Sequence, residues 1–171
     1  MKVTIDGVNY VPETSTQSTT KSTIVDELSK YRGTQEYNGI VNTIQTWFYG
    51  KLVKQAWCAT CISYFANLCG ILEQIGGKNE NVYNMMVACR NTHPDRFYSR
   101  DNLPATIKKN DILFWLWSGD TMNAGSSKHV GVAEYDSSGD MIYCLGGNQK
   151  DKICTLGYNR KNLYAVFRPK Y

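Results

Sequence analysis

Trp57-Cys58-Ala59-Thr60-Cys61-Ile62-Ser63-Tyr64-Phe65-Ala66-Asn67-Leu68-Cys69-Gly70 is the stretch from which the fold reads outward. Cys58, Cys61, Ile62, Phe65, Leu68 and Cys69 recur at spacings of three and four, one face of an α-helix, and Gly70 stands where a left-handed residue closes a helix. The segment is predicted to be a buried helix with Cys58 at its start. Upstream, Thr23 and Asp26 have the spacing of a capping box, with Ile24, Leu28 and Tyr31 following at helical period up to Gly33. Tyr37, Ile40, Val41, Ile44, Trp47 and Phe48 form another such face, ended by Tyr49-Gly50. Downstream, residues 83–90 read as a short helix with Met86 and Cys89 inward, and a polar loop runs through His93-Pro94 to Pro104. Residues 111–117, 129–135, 141–145 and 163–168 are short strand-like runs separated by Gly, Ser, Asn and Asp. Helices first and an antiparallel sheet second predict an α+β domain, with no internal repeat.

The chain has 171 residues, which suits one domain with a modest appendage. Residues 1–22 form the appendage. Val3 and Ile5 alternate into an Asp6-Gly7 turn and then Val8 and Tyr10, a small hairpin pattern, and from residue 14 to 23 eight of ten residues are Ser or Thr, a linker composition. The main domain is assigned to residues 23–171. With 42% hydrophobic residues, a chain of this length buries a sizeable core without disulfides, so the six cysteines are expected to be mostly reduced and buried. A net charge of +4 without a clustered basic stripe gives no support for nucleic-acid binding. No apolar run in the first 30 residues has the length of a signal-peptide core, and the richest one elsewhere, Ile112 to Trp117, is six residues long. Neither export by a signal peptide nor membrane insertion is expected.

Two histidines keep the search for a general base short. His93 precedes a proline in a loop, whereas His129 opens a predicted strand. Alternation puts His129, Gly131, Ala133 and Tyr135 on one face and Val130, Val132 and Glu134 on the other, so Glu134 should not orient the imidazole. The orienting group is expected from the next strand, which runs into Gly146-Gly147-Asn148. Cys58, at a helix start where free N–H groups and the macrodipole favour a thiolate, is the candidate nucleophile. Cys58, His129 and Asn148 follow one another in the chain order of papain-like hydrolases.

Residues 57–64 resemble the nucleophile helix of CHAP domains, the cysteine- and histidine-dependent amidohydrolases and peptidases of bacterial and phage cell-wall lysis. Asn110-Asp111-Ile112-Leu113-Phe114 resembles their Gly-Asp-apolar strand, His129-Val130-Gly131-Val132 their His-apolar-Gly-apolar strand, and Gly146-Gly147-Asn148 their Glu-Gly-Asn turn. The resemblance spans residues 22–171. It implies a papain-like (CHAP/NlpC-type) fold and a peptidoglycan hydrolase, an amidase or endopeptidase, in the setting of a phage endolysin or virion-associated lysin. The implied locations are the host bacterial cytoplasm before release to the wall, or the virion. Gly146 replaces the family's glutamate, leaving the third catalytic role to Asn148 alone. No acidic calcium loop precedes Cys58, so no metal or cofactor is expected.

In the implied mechanism Cys58 attacks an amide carbonyl, His129 protonates the leaving amine and then activates water, and Asn148 holds the ring. The Cys58 N–H and Gln55 are the expected oxyanion donors. Trp57, Trp115, Trp117 and Tyr64 are candidates for substrate contact, with core packing as the alternative for each. Targeting to the wall falls to the domain itself, the hairpin, or a phage structural or wall-binding partner subunit. Three other readings stay open: a thioredoxin-like oxidoreductase using Cys58 and Cys61, a zinc module of Cys58, Cys61, Cys89 and His93, and a catalytically inactive wall-binding module.

Overall fold

The computed structural model describes residues 3–5, 8–10, 21–125 and 128–171. Strands β1 (Val3–Ile5) and β2 (Val8–Tyr10) pair antiparallel with Ile5 opposite Val8, as the alternation implies. The Asp6-Gly7 turn and most of the Ser/Thr segment lie outside the described residues.

Helix α1 (Ile24–Ser29) starts on the capping box: the Asp26 N–H donates to Thr23 Oγ1, and the Thr23 N–H donates to the Asp26 carboxylate. Helix α2 (Gly39–Tyr49) ends at Gly50, whose φ of 71° turns the chain out of the helix. Helix α3 (Cys58–Leu68) is closed by a Schellman motif, the Gly70 N–H donating to Asn67 O and the Ile71 N–H to Ala66 O. Helix α4 (Val82–Thr92) begins one residue before its apolar period because Asn81 caps it, accepting from the Tyr83 and Asn84 N–H groups, and it runs on past Arg90 to Thr92.

The rest of the domain is one antiparallel sheet of β3 (Phe97–Ser99), β4 (Ile112–Leu116), β5 (Lys128–Ala133), β6 (Met141–Gln149), β7 (Lys152–Asn159) and β8 (Leu163–Phe167), in the order β3-β8-β4-β5-β6-β7. The protein is therefore α+β, with its four helices ahead of most of the sheet. Ile112, Phe114, Val130, Val132, Leu145, Ala165 and Phe167 pack against the helices. Leu113, Trp115, Ala133, Ile142, Cys144 and Leu163 form a second, smaller core on the opposite face with Ile107 and the flanks of Trp117 and Tyr158. Burial on both faces explains why β4 reads Ile-Leu-Phe-Trp-Leu without alternation.

Three strands depart from the sequence reading. Strand β3 lies in what reads as a polar loop. Strand β6 does not stop at Leu145 but runs to Gln149, and β7 returns from it through Lys150-Asp151, both with positive φ (55° and 58°). That is the backbone of a two-residue hairpin turn, which normally advertises itself with Asn-Gly or Asp-Gly. Here its ends are held externally, by Glu36 N–H donating to Asp151 O at 2.7 Å and by the Gln35–Lys152 bridge.

The resemblance's Gly-Asp position has a clear local logic. Asn110 stands where the glycine would be, with φ of 72°, and its Oδ1 accepts from the Val25 N–H at 3.0 Å, tying the entry of β4 to α1. Asp111 beside it is buried and paired with Arg168.

Candidate active site

Three pieces of chain meet at one corner: the first turn of α3, the start of β5 and the end of β6. They meet because two positions carry no side chain. A Cβ on Gly131 would stand 2.8 Å from Leu145 O, so β5 and β6 approach closely only with glycine there. A Cβ on Gly147 would run into the Trp57 ring and stand 2.8 Å from Cys61 Sγ, so the first turn of α3 rests directly on the backbone of β6. The Gly147 N–H points at Cys61 Sγ.

Cys58 is 5% exposed, and the backbone N–H groups of Val130, Ala59 and Cys58 itself point at its sulfur. Val130 is the residue after His129, so the backbone of β5 that carries the base candidate meets the first turn of α3, while His129 itself pairs across from Trp115 and its ring lies 6.0 Å from that of Tyr158. His129 is 7% exposed, and its Nε2 is buried without a hydrogen-bond partner. A Cβ on Gly146 would stand 3.2 Å from that nitrogen, so the missing side chain at position 146 leaves the space the ring occupies.

The electrostatics correct one expectation. Burial pushes the Cys58 thiol above its ordinary range and outweighs the three N–H donors, while burial also lowers His129 from 6.5 to about 4. The resting pair is a neutral thiol and a neutral imidazole, not the thiolate that a helix start alone favours. This has a consequence for stability. His129 binds a proton near 6.5 in the unfolded chain but only near 4 when folded, so its contribution is complete above pH 6.5 and is lost as pH falls towards 4. The expected loss is about 3 kcal/mol at the acid end. Urea midpoints for the native chain and His129→Phe between pH 7 and 4 measure it, and equal pH slopes for the two chains would contradict it.

Asn148 is not the residue that meets His129. In an unbroken strand Gly146 and Asn148 share a face, but β6 carries a bulge between Gly146 and Gln149, with Asn148 at φ 58°. The extra residue brings Gln149 into phase with Gly146: a Cβ on Gly146 would stand 3.4 Å from Gln149 Nε2. Gln149 is buried and is the hydrogen-bonding side chain that acts on the His129 ring. A bulge at a Gly-Gly-Asn run leaves no periodic signal, which is why sequence reading lands one residue short. Glu134 stays clear of the imidazole, engaged by Arg32, Thr155 and Tyr135.

The aromatic candidates divide. Trp57 and Trp115 are fully buried, Trp57 against Gly147 and Trp115 against the Tyr158 ring at 5.0 Å, so both are core residues and not substrate contacts. Trp117 is half-buried, edge-on to Tyr158 at 5.8 Å, and lines an open depression with Arg100, Asp120 and Lys161. Tyr64 packs between Trp47 and Phe65. Gln55 is exposed, and its Nε2 donates to Tyr49 Oη and, at 3.4 Å, to Glu80 Oε2. Cys58 lines a pocket of about 120 Å³ together with Ala56, Glu80, Asn81, Val82 and Lys128.

Among the described residues no three His, Cys, Asp or Glu side chains converge to hold a metal, and His93 of the zinc alternative stacks on Phe167 instead. The chain from Lys51 to Trp57 is not a strand, so the buried strand that leads into a thioredoxin-type cysteine is missing. Among the described residues no helix is long and apolar enough to cross a membrane. Comparisons of the chain with protein-family models, with curated proteins and with solved structures returned no match.

Proposed function

We propose that this is a papain-like cysteine hydrolase of CHAP type that cleaves amide bonds of bacterial peptidoglycan, with Cys58 as nucleophile and His129 as base. One observation carries the chemistry: the first turn of α3 holds Cys58 against the Val130 N–H, one residue from a buried histidine whose ring nitrogen is unpartnered. The wall substrate rests on the resemblance of residues 57–64, 110–114, 129–132 and 146–148.

Because both groups rest neutral, the proton moves as the bond forms. His129 takes the Cys58 proton while the sulfur adds to the carbonyl carbon, and the N–H groups of Cys58 and Ala59 at the helix start stabilise negative charge beside the sulfur. The imidazolium then gives its proton to the leaving amine. In the second half His129 takes a proton from water, the hydroxide adds to the thioester, and the acid departs as the thiol is regenerated. Gln55 supplies a further donor only by releasing Tyr49 or Glu80.

Limiting iodoacetamide, mapped by peptide and run beside hydrolysis of purified peptidoglycan, tests the reading. Cys61, Cys89 and Cys144 are fully buried, which leaves half-buried Cys154 and Cys69, as little exposed as Cys58, as the competitors for reagent. Alkylation of Cys58 in step with loss of hydrolysis is expected. Alkylation of Cys154 first, with Cys58 untouched while hydrolysis is lost, would remove Cys58 from the mechanism. Binding of peptidoglycan without release of amines would identify the inactive wall-binding module.

A further inference from the structure

The pocket at Cys58 carries a charge that the hydrolytic chemistry does not use. Glu80, just ahead of α4, and Lys128, the first residue of β5, both line it. Lys128 is engaged elsewhere, its Nζ 5.9 Å from the centre of the Tyr83 ring and within the field of Asp120. The described residues give Glu80 only neutral company. Gln55 Nε2 donates to its Oε2 at 3.4 Å while also donating to Tyr49 Oη, and among the described residues no Lys, Arg or His nitrogen forms an ion pair with it. Lys78, two residues away, instead donates to Trp47 O at 2.9 Å with its Nζ over the Trp47 ring. Glu80 is exposed, so its charge costs the fold little. For a neighbouring nucleophile it is a handicap, because a like charge beside a thiol opposes loss of the thiol proton. A cation seated in the pocket removes that handicap.

We infer that Glu80 is a specificity-determining residue, selecting substrates that carry a free primary ammonium group next to the amide that Cys58 attacks. The inference rests on the hydrolase reading of Cys58 and narrows its substrate class to peptides with an unblocked amine, either a free N-terminus or an aminoalkyl side chain. Size agrees with this. At about 120 Å³ the pocket falls well below the roughly 300 Å³ at which sites for whole small molecules begin, so it takes one end group or side chain and not a saccharide. Charge agrees as well. Lys128 repels the same cation, but Asp120 meets part of its charge, whereas nothing cationic among the described residues meets that of Glu80, so the carboxylate decides the sign of the pocket. Glu80 also stands beside the start of α4, where a negative charge favours the helix. That second role acts on stability and not on charge selectivity at Cys58, and the two are therefore separable.

Charge selectivity at Cys58 tests this without any need for wall hydrolysis. Aminoethyl and sulfonatoethyl methanethiosulfonate, thiol reagents of similar size and opposite charge, are reacted at low salt with the native chain, Glu80→Gln and the exposed control Glu73→Gln, and modification of Cys58 is followed by peptide mapping. The ratio of cationic to anionic rates at Cys58 is expected to be about tenfold higher in the native chain than in Glu80→Gln, and unchanged in Glu73→Gln. A second arm depends on the hydrolase proposal: amine-bearing wall peptides are compared with the same peptides acetylated on the amine. For the native chain acetylation should raise KM by about tenfold with kcat little changed, and Glu80→Gln should bring the two substrates to equal KM. An equal charge ratio in the native chain and Glu80→Gln, a Cys58 that resists both reagents, or hydrolysis indifferent to acetylation would overturn the inference and leave Glu80 to the start of α4. Absence of wall hydrolysis with the charge preference intact removes the hydrolase proposal and leaves Glu80 as the amine-selecting group of this pocket.

Discussion

Cys58→Ala is expected to lower peptidoglycan hydrolysis by at least about 10³-fold and leave the fold in place. The first half of that expectation follows from covalent catalysis: without the sulfur there is no thioester, and His129 alone, lowered to about 4, is a weak base. The second half follows from packing. Cys58 is the first residue of α3, its backbone conformation is ordinary, and an alanine keeps the Cβ while losing one buried sulfur. The cost should be about 1–2 kcal/mol, small beside a typical domain stability of about 5–15 kcal/mol. Amine release from purified wall, with circular dichroism and a thermal melt on the same sample, checks both halves. Cys58→Ser sharpens the test, because a hydroxyl lacks a thiol's acidity in a site already starved of solvation, so near-native activity in that variant would end the thiol mechanism. Cys61→Ala separates hydrolysis from redox chemistry. Its sulfur is fully buried against Gly147, and it should cost stability and keep turnover.

The parts of this corner that were legible in the sequence are those where chemistry and periodicity coincide. The α3 face from Cys58 to Cys69, its closing Gly70, and the Thr23–Asp26 cap each involve a residue type with one strong local preference. Strand β7 was not legible, because its turn is Lys150-Asp151, two residues forced to positive φ by hydrogen bonding to residues 33–36 and not by their own preference. The placement of residues 146–149 is illegible for a related reason: a bulge changes which residues share a face, and only tertiary contact reveals the change. Aromatic exposure was illegible too. Trp57, Trp115 and Trp117 look alike in sequence, yet the two-sided core of the sheet buries the first two and leaves the third at its rim.

Asp111→Ala and Arg168→Met should both be strongly destabilising, and unequally so. The pair is bidentate, with Nε to Oδ1 and Nη2 to Oδ2 at 2.8 Å each, and Asp111 Oδ2 also accepts from the Lys108 N–H at 2.8 Å. Removing one partner of a buried pair costs about 3–5 kcal/mol, mostly from the charge left behind. Here the charges are not equally able to escape. The Arg168 side chain is 33% exposed and, left alone, turns towards water while keeping Thr106 O, whereas the Asp111 side chain is 1% exposed and fixed between β4 and the turn at Lys108. Asp111→Ala should therefore fall at the lower end of that range and Arg168→Met at the upper end, compared by urea midpoints at pH 7. The reverse order would mean that the turn at Lys108, not the buried charge, is what Asp111 chiefly stabilises. Either loss reaches the site through register: Trp115 of β4 sits opposite His129 of β5, so loosening the entry of β4 loosens the strand that carries the base. In Asp111→Ala, hydrolysis per folded molecule should fall along with stability, while in Cys58→Ala stability persists as hydrolysis vanishes, which separates a residue that builds the corner from one that reacts in it.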